Sequence, residues 1–185
     1  MSVAAPVSIQ LKADAHLAAA VGMFNQPHPE IIRLNPGCGA QCIGPERLFM
    51  WPVQGEYRIS SKFGKRHHPL RKKVAWHRGV DIAAPKGTPI LSPSQGEVRF
   101  AGWKKGYGRT VDIDHGQGWM SRYAHASHIL VRKGEQVSPG QLIAKVGQSG
   151  AATGDHLHFE IWKNGQPLNP MSFYPDAAAL PDRRF

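Results

Sequence analysis

The chain has 185 residues, 41% of them hydrophobic, and carries a formal net charge of +10 from 23 Lys and Arg against 13 Asp and Glu. That length can bury a real core, and one domain is the expectation. No run reaches the roughly 18 apolar residues of a membrane-spanning helix, so none is expected.

Taken in chain order, residues 1–50 differ in character from the rest of the chain and read as an N-terminal extension. Within it, LKADAHLAAAVG (11–22) can make a short helix stopped by Gly22, and the Pro-rich stretch after it reads as packed coil. The start lacks the positively charged n-region of a signal peptide, so either a leader has been removed or export takes another route, such as a phage lysis or secretion apparatus. Cys38 and Cys42 lie in NPGCGAQCIG. A disulfide is the first reading for an exported protein, two free thiols the second, and a thiolate that reaches and blocks a metal the third.

From Trp51 onward the pattern changes. The chain as a whole has twenty Gly and fifteen Pro, and their placement among short apolar runs suggests turns between strands rather than helices. The β-branched, Pro-containing stretch VDIAAP after Gly79 favours an extended segment. Candidate strands are EVRFAGW (97–103), RTVDIDH (109–115), MSRYAHA (120–126), QLIAKVG (141–147) and HLHFEIW (156–162). The last two flank the Gly-rich loop GQSGAATGD, and Lys163-Asn164-Gly165 fits a tight turn afterwards. The loop shows no phosphate-binding pattern. Residues 171–185 read as a tail, with a helical turn over 177–180. The fold class expected is mainly β and antiparallel.

Two fragments carry metal-site chemistry: His77-Arg-Gly-Val-Asp81 and His156-Leu157-His158. Period 2 puts His156 and His158 on one face of a strand and turns Leu157 to the core. Positions 77 and 81 also share a face under either the helical or the extended period. Zinc that does chemistry keeps three protein ligands, commonly His and carboxylate, and leaves a fourth position open. These fragments supply such a set with one histidine to spare. Chance alone gives roughly half an H-x-H and about 0.4 of an H-x-x-x-D at this composition, so neither motif suffices without its context.

The context is WHRGVDIAAPKGTPILSPSQGEVRFAGW, then YGRTVDIDHGQGWMSRYAH, then VGQSGAATGDHLHFEIWKNGQPLNP. With these motifs in this order, residues from about Trp51 to Pro170 closely resemble the lysostaphin/LytM-type zinc endopeptidases that cut peptidoglycan peptides. The resemblance implies a central antiparallel sheet or sandwich whose face forms a groove floored by one Zn²⁺ per chain. It makes His77, Asp81 and His158 the ligands, and His156 and His125 (of Tyr123-Ala124-His125) the catalytic pair. The family usually has Pro where this chain has Asp155, which removes a rigid turn residue and adds a carboxylate. The spellings R-G-V-D, R-Y-x-H and H-L-H-F-E-I-W look closest to Gram-negative D,D-endopeptidases, which implies cleavage of D-alanyl–meso-diaminopimelate crosslinks. By the same resemblance the chain divides into an extension (1–50) that packs on the catalytic domain or restrains it, a peptidase domain (51–170) and a tail (171–185).

The chemistry needs these residue types. Zinc acidifies water and polarises a carbonyl. Histidine, with its unperturbed pKa near working pH, can take or give the proton. H-E-x-x-H is absent, so a thermolysin-like Glu base is not expected.

Basic clusters at Lys62–Arg71, Lys72-Lys73 and Lys104-Lys105 suit nucleic acid or an anionic cell envelope. No helix-turn-helix, RNP-like or zinc-finger spacing supports nucleic acid. The expected partners are therefore peptidoglycan stem peptides, met by a monomer in the envelope, periplasmic or secreted. His67-His68 reads as groove rim, His115 as a structural hydrogen bonder, and His128 as no ligand. His16 and His28 have no role, and Trp76 and Tyr107 line the groove or the core. Two alternatives remain at this stage. One is a non-enzymatic envelope protein that binds peptidoglycan or activates an amidase. The other is a phosphocarrier module of related sandwich architecture, which would need no metal.

Overall fold

A computed structural model of the chain describes residues 50–67 and 74–174. The expected helix at 11–22, the Cys38 and Cys42 pairing, His16, His28, His68 and the tail turn at 177–180 lie outside the described residues. So does the side chain of His67.

Among the described residues thirteen strands run in chain order. The first five are β1 (Arg58–Ser61), β2 (Gly64–His67), β3 (Val74–His77), β4 (Val80–Ala83) and β5 (Pro89–Leu91). Then come the long strands β6 (Gly96–Lys104), β7 (Gly108–Gly116) and β8 (Trp119–Ala126). They are followed by β9 (His128–Ile129), β10 (Gln136–Val137), β11 (Leu142–Lys145), β12 (His156–Lys163) and β13 (Gln166–Leu168), and a single 3-10 turn at Pro170–Phe173. All five strands expected from alternation are present. Among the described residues no helix is long and apolar enough to cross a membrane.

The strands form one eight-stranded antiparallel sheet, in the order β1-β4-β12-β8-β7-β6-β10 with β13 beside the far half of β12. A three-stranded sheet, β5-β11-β9, and the hairpin β2-β3 complete the fold. Alternation decides which way each side chain points. Leu157, Phe159 and Ile161 of β12, with Val80 and Ile82 of β4 and Val111 and Ile113 of β7, are fully buried on one face. They share a core with Ile90, Ile143 and Ala144 of the small sheet, so the architecture is a β-sandwich. The other face of the large sheet carries His156, His158 and Glu160 of β12, Asp81 of β4 and Arg122 of β8, aligned by the register His158↔Asp81 and Glu160↔Arg122. One face is thus hydrocarbon and the other is chemistry.

The Lys163–Gln166 connection is a two-residue hairpin with Asn164 at φ +48° and Gly165 at +77°, as the Asn-Gly pair predicts.

Candidate metal centre

His77 and Asp81 do not lie on one continuous extended segment. His77 ends β3 of the small hairpin, the chain turns through Arg78-Gly79, and Asp81 stands in β4 of the large sheet. The corner can pass this close to β12 because residue 79 is glycine. A Cβ there would stand 2.2 Å from the Phe159 carbonyl oxygen. His158 faces Asp81 directly across the β12–β4 pair.

Three atoms converge: His77 Nε2, Asp81 Oδ1 and His158 Nδ1, separated by 3.1 Å (His77–Asp81), 3.0 Å (His77–His158) and 2.7 Å (His158–Asp81). All three residues are buried, at 4–7% exposure. The opposite nitrogen of each imidazole is already committed. His77 Nδ1 donates to the Lys62 carbonyl at 2.8 Å, and His158 Nε2 donates to Glu160 Oε1 at 2.9 Å. With those N–H groups spent, the converging atoms are two imidazole lone pairs and a carboxylate oxygen. Three acceptors aimed at one point call for a cation between them, and this set could hold a metal ion.

The electrostatics agree. Burial would raise the Asp81 carboxyl, but the adjoining His158 and His77 rings outweigh it and hold the group far below the ordinary carboxylate range. Burial would lower His158, yet the neighbouring Asp81 and Glu160 carboxylates raise it. A site that increases the basicity of that ring also increases its affinity for a metal cation.

Two further histidines flank the cluster. His156 Nδ1 donates to the Gly154 carbonyl at 2.8 Å, and its Nε2 lies 3.9 Å from Asp81 Oδ1. His125 Nδ1 donates to the Ser149 carbonyl at 2.7 Å, and its ring centroid is 4.7 Å from that of His156. Both accepting carbonyls belong to the Gly-rich loop expected to be a plain connection. Its backbone selects the same tautomer for both rings and leaves each Nε2 as the lone-pair nitrogen. Burial, reinforced by His156 and His158, drives His125 down to about 4 against the opposing Ser149 bond, so its ring is neutral at neutral pH.

Simple alternation would put His125 on the same face as Tyr123, which is fully buried in the core. A β-bulge intervenes. The β7–β8 register changes between Val111↔Tyr123 and Arg109↔Ala126, leaving Ala124 and His125 opposite one residue. His125 takes φ +63°, a left-handed conformation rare for a non-glycine residue. The bulge re-aims the ring onto the polar face.

The remaining sequence candidates fall into place around this site. His115 is structural, with Nδ1 on the Gln95 carbonyl and Nε2 on Ser121 Oγ, both at 2.7 Å. His128 is exposed beside Ser127. Trp76 is 57% exposed and packs edge-on against Phe63, outside the core. Tyr107 approaches the His158 ring, at 5.6 Å between centroids, and donates to Glu160. Asp155 is exposed. Glu160, which touches His158 directly, is a site residue that the motifs do not single out. Its signal is the period of β12, which continues the polar face from His156 and His158 to position 160.

Residues 75–170 match Peptidase family M23. The chain belongs to peptidase family M23. It is 43% identical over 141 residues to the peptidoglycan DD-endopeptidase ShyA of Vibrio cholerae, covering 75% of this chain and 33% of that protein. Among solved structures it resembles a zinc-containing peptidase from Vibrio cholerae (TM-score 0.60, 39% identity, 65% of this chain and 38% of that one). It also resembles the catalytic domain of lysostaphin from Staphylococcus simulans (TM-score 0.59, 30% identity, 64% of this chain and 92% of that one). The M23 chain therefore spans about a third of the length of its curated relative.

Proposed function

We propose that this chain is a zinc-dependent endopeptidase that hydrolyses peptide crosslinks of bacterial peptidoglycan in the cell envelope, cleaving D-alanyl–meso-diaminopimelate bonds. The observation that carries this reading is the convergence of His77 Nε2, Asp81 Oδ1 and His158 Nδ1, with two lone-pair histidines beside them. Ligand atoms about 2.0–2.1 Å from a tetrahedral zinc stand about 3.3 Å apart. The observed triangle of 2.7–3.1 Å opens to that size with small side-chain adjustments. Two neutral imidazoles and one carboxylate give a +1 site, suited to a metal that acts as a Lewis acid. The Vibrio structural neighbour is a zinc-containing peptidase and ShyA is a DD-endopeptidase, which supports the choice of metal and of bond.

Zinc bound there would acidify water and polarise the peptide carbonyl. The chain's own residues do the rest. His156 and His125, each with Nδ1–H fixed on a loop carbonyl, present Nε2 toward the cluster. One takes the proton of the attacking water at its Nε2 lone pair. The other must enter as the imidazolium, with a solvent-derived proton on Nε2, to hydrogen-bond the oxyanion that develops on the carbonyl or to protonate the leaving amine. The neutrality of His125 suits it to accept a proton at its free nitrogen. Rigid placement matters, because both rings must be aligned before the substrate arrives.

The test is incubation of the purified protein with muropeptide dimers of defined 4→3 crosslink, with products identified by mass spectrometry. Monomers from hydrolysis at the D-alanyl bond, suppressed by a chelator, are expected. Dimers left intact by the metal-loaded protein would contradict the proposal.

A further inference from the structure

His77 and His158 present different nitrogens to the cluster, Nε2 from the first and Nδ1 from the second. Something must choose. For His77 the choice is made by a backbone carbonyl, that of Lys62. For His158 it is made by a side chain that a mutation can change. We propose that Glu160 is the positioning residue that commits His158 to bind the metal through Nδ1; this rests on the metal-site reading above.

Glu160 is fully buried, two residues along β12 from His158 on the same face. Four donors converge on its carboxylate. Oε1 accepts from His158 Nε2 and Tyr107 Oη, each at 2.9 Å. Oε2 accepts from Trp162 Nε1 at 2.7 Å and Arg122 Nη1 at 3.2 Å. An ionised carboxylate only accepts, so it requires the His158 proton at Nε2 and leaves the lone pair at Nδ1, the atom facing His77 and Asp81. This is a carboxylate–histidine–metal arrangement, in which the outer group fixes tautomer, ring orientation and basicity together.

The carboxylate is itself held on every side. Arg122 binds Asp112 with two bonds of 2.8 and 3.0 Å, and its guanidinium lies 5.0 Å from the Tyr107 ring centre and 5.6 Å from that of Trp162. Three neighbouring strands, β7, β8 and β12, thus form one buried ionic frame ending at His158 Nε2. Unlike an exposed ion pair, a frame of this kind has little freedom to rearrange when one member is changed.

Glu160→Gln tests the role because it keeps the shape and removes the chemistry. The amide has one acceptor oxygen, and its NH₂ would face two of the four donors. The expected result is a zinc affinity about 10–100-fold weaker, the usual scale for loss of such an outer partner, measured by competition with a chelator. Long-range ¹H–¹⁵N correlation of the metal-free protein supplies a second readout. Native His158 should appear as the Nε2–H tautomer, and in Glu160→Gln the Nδ1–H form should become populated. A merely structural role would lower the melting temperature without moving either quantity. Unchanged zinc affinity with an unchanged His158 tautomer in Glu160→Gln would overturn the proposal. If that variant does not fold, the native zinc-loaded protein still decides: metal at Nδ1 with a slowly exchanging Nε2–H supports the assignment, and metal at Nε2 overturns it. A native chain that takes up no zinc overturns the metal reading itself, and the tautomer of the metal-free protein separates that failure from this one.

Discussion

Gly79→Ala should damage the centre without touching a ligand. The added Cβ would stand 2.2 Å from the Phe159 carbonyl oxygen and 2.9 Å from both the Phe159 carbonyl carbon and Glu160 Cγ. Carbon–oxygen contacts ordinarily begin at about 3.3 Å, so relief requires a movement of about 1 Å. Phe159 cannot supply it, being fully buried and paired to Val80 on one side and Tyr123 on the other. The β3–β4 corner must retreat instead, and His77 lies two residues before it. Overpacking of this kind costs about 1–3 kcal/mol, which for a chain of this size lowers the melting temperature by about 2–12 °C. Displacement of His77 by about 1 Å should reduce hydrolysis by about 100-fold. Thermal unfolding by circular dichroism and muropeptide turnover at saturating zinc measure the two effects separately. A Gly79→Ala protein that melts and turns over like the native chain would refute the close approach of this corner to β12.

His125→Ala and His156→Ala should each keep zinc while losing hydrolysis by about 10²–10⁴-fold, the scale for positioned acid–base groups; loss of the metal in either variant would make that residue a ligand. His115 offers a test on stability. Burial lowers its pKa in the folded protein, against the opposing bond with the Gln95 carbonyl, so below pH 6.5 the unfolded chain binds a proton that the native state resists. The stabilisation from neutral His115 is therefore present above that pH and lost as pH falls, and the cost of His115→Ala, measured by denaturant unfolding, should shrink from pH 8 to pH 5; a cost independent of pH would contradict the assignment. Deleting residues 1–48 should raise peptidoglycan hydrolysis several-fold if that segment restrains the site, while equal activity of the truncated and full chains would leave packing as its only role.

Much of the architecture is legible in the sequence because burial writes a period of 2 into long strands. In HLHFEIW the apolar positions 157, 159 and 161 are all fully buried, and the intervening positions form the site face. The two-residue strands β9 and β10 leave no such trace, since they are too short to alternate. The hairpin β2-β3 is hidden for another reason: its strands are four residues each, and one of them, GKRH, is basic and polar with no apolar alternation. The H-x-x-x-D spacing suggests a common face, and the structure achieves proximity differently, by folding His77 and Asp81 onto separate strands around Gly79. The bulge at His125 is invisible because it violates the period from which strands are read. Tyr123 and His125 should share a face, and one extra residue sends them to opposite sides of the sheet. Glu160 lies in plain view on the His158 face, but only the hydrogen-bond partners reveal that it grips His158 rather than the solvent.

On the proposed function, His77, Asp81 and His158 hold one zinc per chain. Metal content by inductively coupled plasma mass spectrometry, on the native protein and on His158→Ala after identical zinc loading and desalting, tests it most directly. One zinc per native chain and almost none in the variant are expected, because two remaining ligands cannot complete a tetrahedral site. Full zinc occupancy in His158→Ala would contradict it.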